Sequence, residues 1–132
     1  MRYLFDTNIC IYIAKKKPQS LLSRFEKLQT GDAAMSIVTY LELVYGAYKS
    51  ERADANLLTI QELASVIPVL SLDTSVAHYY GRLRADLERR RLSIGAYDLL
   101  IACHAMSLEV TLVTNNTREF SRIPGLHIAD WV

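Results

Sequence analysis

The chain has 132 residues, 51% of them hydrophobic, which is enough to bury a real core without metal or disulfide staples. Fifteen Lys and Arg stand against 14 Asp and Glu, so net charge argues for no partner and any charged site must arise by local segregation. The two cysteines, Cys10 and Cys103, form no C-x-x-C pair, which excludes a disulfide framework and argues against a zinc module.

The chain opens with "YLF", a short apolar run that reads as a strand over 2–5 and passes straight into Asp6. Met1 and Arg2 leave no room for a signal peptide, and no uncharged run is long enough to span a bilayer, so the cytoplasm is the expected compartment. Helices are expected over 8–14 and 19–29, followed by a break at Gly31-Asp32. "AAMSIV" (33–38) reads as a buried strand entering a helix, with Ser36 as N-cap. That helix runs to Tyr48 and places Ile37, Leu41, Val44 and Tyr48 on one apolar face. Residues 52–65 read as a helix, and "VIPVLSL" (66–72) as a β-rich run. Asp73 or Thr74 can cap a helix reaching about Arg90, and "RRRLSIG" is a loop. Tyr97–Ser107 is a helix apolar nearly all round, and "VTLVT" (110–114) is a buried strand.

Strand and helix alternate in the way of an α/β domain, with an open parallel sheet covered on both faces and all of 1–132 in a single domain. Such sheets bind ligands beyond the carboxyl ends of their strands. There the sequence offers Asp6, then Asn115 and Asn116 after "VTLVT", and Glu119 a turn later. Asp98 enters the apolar helix, and Glu42 lies on the helix leaving Ser36.

Each has an ordinary alternative. Asp6 can cap the next helix, and Asp98 can answer the helix dipole. Glu42 falls in step with Thr39, Gly46 and Lys49 on what could be one solvent stripe, and Glu119 can be a surface acid. If the acids instead converge, carboxylates about 4 Å apart repel by about 4 kcal/mol at an effective dielectric near 20, so a cation is required. An oxygen-only donor set favours Mg²⁺ or Mn²⁺. Hydrolysis of a phosphodiester by in-line water attack is the chemistry that follows most naturally.

"LFDTNI", "SIVTYLELVYGA", "IGAYDLLIACHA" and "LVTNNTREF" resemble, in that order, the four signature segments of the PIN-domain family, and within it the VapC toxins of bacterial toxin–antitoxin pairs. The resemblance spans the whole chain. It implies a three-layer α/β sandwich with a central parallel sheet flanked by helices, and a metal-dependent endoribonuclease acting on structured RNA such as tRNA. It also implies a homodimer or larger toxin–antitoxin assembly and inhibition by a cognate VapB-type antitoxin.

By the same resemblance, Asp6 and Asp98 are the principal metal ligands and Glu42 completes the pocket. Asn116 stands where the family usually has Asp. Three carboxylates then remain, joined by Glu119 if it faces inward, and one-metal hydrolysis is easier to support than two. Thr114 is assigned a supporting hydroxyl.

RNA contacts are expected from Arg82, Arg84 and Arg89 in "YYGRLRADLERRR", although Asp86 and Glu88 interleave with them as on a solvated helix face. No DNA-reading element is found. The competing readings are a PIN fold that binds RNA or a partner without cutting, which Asn116 favours, and a receiver-like signalling domain. The second wants paired acids after the first strand and a late lysine, and neither is present. A dehalogenase-like phosphatase needs D-x-D, and Asn8 occupies the second position.

Overall fold

The computed structural model describes residues 1–132. Its elements are β1 (Tyr3–Phe5), α1 (Thr7–Ala14), α2 (Gln19–Glu26), β2 (Ala33–Ser36), α3 (Ile37–Lys49) and α4 (Ala53–Val66). These are followed by β3 (Val69–Leu70), α5 (Thr74–Arg89), α6 (Ala96–Leu108), β4 (Thr111–Val113), α7 (Thr117–Phe120) and β5 (Ile128–Ala129). The strands form one sheet in the order β3-β2-β1-β4-β5, every neighbouring pair parallel. Phe5 lies level with Met35 of β2 and Val113 of β4, so the carboxyl ends of the three central strands are aligned.

Alternation along these short strands feeds two cores. Leu4, Ala34 and Leu112 face a layer built by α5 and α6, which supply Val76, Leu83, Leu87, Leu99, Ile101 and Ala102. Phe5, Met35 and Val113 face the opposite layer, with Ile9 and Ile13 of α1, Leu21 of α2, Leu43 and Ala47 of α3, and Ile60 and Leu63 of α4. This is the three-layer sandwich with a central parallel sheet. The sheet is buried on both faces, which is why its strands read as apolar runs rather than as alternating ones.

Local signals account for most element boundaries. Gly31, at φ +95°, turns the chain into β2, a conformation that a side chain would strain. Ser36 caps α3 by accepting the Val38 N–H at 3.1 Å, and Asp73 caps α5 by accepting the Ser75 N–H at 2.9 Å.

Two expectations need correction, and two short elements were not read at all. The buried face of α3 is Val38, Thr39, Leu43 and Ala47, whereas Leu41 and Tyr48 of the expected apolar face are exposed. The β-rich run 66–72 contributes only the two residues of β3. The edge strand β5 and the single turn α7 had no periodicity long enough to show in the sequence. No helix is long and apolar enough to cross a membrane.

Candidate active site

Beyond the carboxyl ends of β1 and β4 lies a wholly polar cleft of about 230 Å³, lined by Asp6, Thr7, Asn8, Glu42, Asp98 and Asn116. Four elements build it. Asp6 ends β1 and caps α1, its Oδ1 accepting the Ile9 N–H at 2.9 Å. Cap and site are therefore the same residue: one carboxylate oxygen holds the helix, and the group still lines the cleft. Asp6 is only 4% exposed. Burial raises its pKa, against the lowering effects of hydrogen bonds from the Thr114 hydroxyl and the Ile9 N–H, and the charge of Glu42 adds to the rise.

Glu42 arrives from α3, one turn beyond buried Thr39. It is not on a solvent stripe: its Oε1 accepts a 2.7 Å hydrogen bond from the Thr7 hydroxyl, which also lies 3.3 Å from the Thr39 hydroxyl. Asp98 lies in the first turn of α6, behind the N-cap Gly95. Burial, then the charges of Glu119, Asp6 and Glu42, push its pKa up to about 6. Asn116 N–H donates to Thr114 Oγ1 at 2.9 Å, so buried Thr114 ties the β4 exit to Asp6.

Glu119 does not line the cleft. Its Oε1 accepts the Gly95 N–H at 2.8 Å and its Oε2 accepts from Asn116 Nδ2 at 2.9 Å, so it clasps the loop before Asp98 to the loop after β4. Fixing the Asn116 amide nitrogen in this way leaves its carbonyl oxygen as the group available to the cleft.

The fit to a hard cation follows from these donors. All are oxygens from Asp, Glu and Asn, without a thiol or imidazole. The chain's ion pairs are Arg2–Asp32, Arg84–Glu88 and Arg90–Asp86, so no lysine or arginine neutralises the cleft. No three of its Asp and Glu carboxylates lie near enough to one another to chelate an ion outright. The set thus suits an ion that keeps part of its water shell, as Mg²⁺ does.

The sequence profile described as PIN domain matches residues 3–126. The chain belongs to the PIN-domain family. Within it, the chain is 44% identical to the tRNA(fMet)-specific endonuclease VapC of Shigella flexneri, over 99% of this chain and 98% of that protein. It is 40% identical to Ribonuclease VapC2 of Rickettsia felis, over 99% and 98%. The solved structure of DNA-bound VapBC from Salmonella typhimurium matches with a TM-score of 0.94 at 42% identity, covering 100% of this chain and 99% of that one. These similarities place the chain in the VapC branch of the family.

The remaining expected residues of this PIN domain lie outside the cleft. Arg82, Arg84 and Arg89 are exposed on α5. Arg84 donates to the Tyr80 hydroxyl at 2.7 Å and pairs with Glu88 at 3.7 Å, while Arg82 lies over the Tyr79 ring. Arg84 and Tyr80 also line a depression that reaches Ile94, Ala96 and Leu99, next to the turn bearing Asp98.

Sequence reading missed Thr7, Asn8 and Gly95 as site residues. Thr7 carried a signal, a hydroxyl directly after the strand-end acid. Gly95 carried none, because its backbone partner Glu119 is 24 residues away. A second concavity, of about 490 Å³, lies between α1, α3 and α4. Ile11, Leu43, Ala47 and Ile60 are among its walls, and Glu42 lines both it and the cleft.

Proposed function

We propose that the chain is a divalent-metal-dependent endoribonuclease toxin that hydrolyses a phosphodiester bond in structured RNA, with tRNA as its substrate. The observation that carries this reading is the convergence of Asp6, Glu42, Asp98 and Asn116 on one cleft without a protein cation. The endonuclease and ribonuclease names of its relatives agree with it.

Asp6, Asp98 and Glu42 would hold Mg²⁺ or Mn²⁺, with the Asn116 carbonyl within the same cleft. A bound ion supplies charge neutralisation for the phosphate and lowers the pKa of its water. The chain's own contribution is placement. Asp6 is fixed by the α1 amides and Thr114, Glu42 by Thr7, and Asp98 by the loop that Glu119 clasps. With Asn in the fourth position the cleft carries one negative charge fewer, which supports a single tightly held ion.

The exposed arginines of α5 would meet RNA phosphates on the side of Asp98, and Tyr79 and Tyr80 offer rings for an unpaired base. The partner would be a VapB-type antitoxin. The apolar groove shares Glu42 with the acidic cleft, so one segment carrying apolar residues and then a cation would occupy both. Stable homodimers, alone or within a toxin–antitoxin assembly, are part of the same reading.

The test is cleavage of purified tRNA by the wild-type chain and by Asp6→Asn, in Mg²⁺, Mn²⁺ or EDTA. Cutting that needs the metal and falls by at least 100-fold in the variant supports the reading. Cutting that survives EDTA, or proceeds equally with Asp6→Asn, overturns it.

A further inference from the structure

Outside the cleft, His104 of α6 is 2% exposed and takes no part in the chemistry above. Its Nδ1 lies 2.8 Å from the Ser36 hydroxyl, at the junction of β2 and α3. Ser36 Oγ also accepts the Val38 N–H as the N-cap of α3, so this one hydroxyl serves both the helix start and the imidazole. Burial lowers the pKa of His104 against a weaker upward pull from Asp73, which favours the neutral imidazole.

Ser36, the residue that caps α3, stands six residues before Glu42, and His104 stands six residues after Asp98 on α6. One buried hydrogen bond therefore ties together the two helices that bring Glu42 and Asp98 to the cleft. These acids repel each other, and no protein cation opposes the repulsion.

We infer that His104 is a positioning residue: with Ser36 it forms a brace that holds α3 and α6 at the separation at which Glu42 and Asp98 share one divalent ion. The inference rests on the metal-dependent reading of the cleft. A brace of this kind acts on ion affinity through the two acids, as groups supporting metal ligands do.

The experiment compares wild type, His104→Leu, His104→Asn, Ser36→Ala and the His104→Leu/Ser36→Ala double variant well below their melting temperatures. Mn²⁺ affinity is read from the electron spin resonance of the free ion. His104→Leu and Ser36→Ala should each weaken binding by about 10-fold, at the lower end of the range for such supporting groups. The double variant should be no weaker than Ser36→Ala alone, because that substitution already removes the brace together with the α3 cap. His104→Asn, whose side-chain oxygen can take the place of Nδ1, should recover most of the loss. Unchanged affinity accompanied by lower melting temperatures, or losses that add, would overturn the brace.

A second readout needs no metal: the distance between spin labels on Tyr45→Cys and Tyr97→Cys, exposed on α3 and α6, the native cysteines being buried. It should lengthen or broaden in His104→Leu and stay fixed in His104→Asn. If wild type binds no Mn²⁺, the metal reading fails, and the label distance alone decides the brace: an unchanged distance overturns it.

Discussion

Asp98→Asn should make the metal-free protein more stable at neutral pH while removing its response to metal. Burial and three neighbouring carboxylates raise the pKa of Asp98 from 3.8 to about 6. Each unit is worth 1.36 kcal/mol, so ionisation costs the native state about 3 kcal/mol if nothing screens it. Asp98 is half-buried and water reaches the cleft, which reduces the figure to about 1–2 kcal/mol.

The sign follows from proton counting. Between about pH 4 and pH 6 the native state holds a proton that the unfolded chain has released, so stability falls as pH rises through that window. Asparagine is neutral at every pH. The variant should therefore gain about 1–2 kcal/mol at pH 8, roughly 3–8 °C in melting temperature for a chain of this size, and almost nothing at pH 4. Scanning calorimetry in EDTA at the two pH values reads this directly. Adding Mg²⁺ at pH 8 should raise the melting temperature of wild type and leave the variant unchanged. An equal shift at both pH values, or a less stable variant at pH 8, would refute the electrostatic reasoning.

Thr7→Val removes the 2.7 Å hydrogen bond that orients Glu42; metal-dependent cleavage should fall about 10-fold while the melting temperature changes little, and unaltered cleavage would free Glu42 from this constraint. Glu119→Ala removes the acceptor of the Gly95 and Asn116 bonds and should cost about 1–3 kcal/mol in denaturant unfolding. The same variant removes the largest of the neighbouring charges acting on Asp98, so the acid limb of the pH–activity profile should move to lower pH, and a limb moving the other way would contradict the assignment. Arg84→Ala should weaken RNA binding and lower the slope of log K against log salt by about 0.7–0.9; an unchanged slope takes Arg84 out of the RNA path.

The parts of this protein that could be read from sequence were those set by neighbours along the chain. Asp6, Ser36 and Asp73 each follow an extended segment and cap the next helix, and each does so in the structure. The even apolarity of Leu99–Ala105 correctly marked a helix buried on most sides. The α3 face was less legible because two stripes compete. One contains Val38, Thr39, Leu43 and Ala47, two of them small or polar, and it is this one that packs against the sheet and neighbouring helices. The other is the expected face of Ile37, Leu41, Val44 and Tyr48, larger and more apolar, yet its Leu41 and Tyr48 are exposed and its Ile37 and Val44 only partly buried.

Contacts distant in sequence were not legible at all. Nothing in "SIGAYD" announces that Glu119 will hold the Gly95 amide, or that His104 will meet Ser36 across 68 residues. The converging acids lie between these cases. Their positions at element ends could be read, but their shared cleft depends on the parallel register of β1 with β2 and β4.

The most direct test of the central claim is sulfur substitution at the scissile phosphate, once the cleaved bond has been mapped. Replacing one non-bridging oxygen with sulfur should slow cleavage strongly in Mg²⁺, which binds sulfur poorly, and Mn²⁺ should restore it in wild type but not in Asp98→Asn. Equal slowing in both metals, or no slowing in either, would contradict an ion held by these acids against the reacting phosphate.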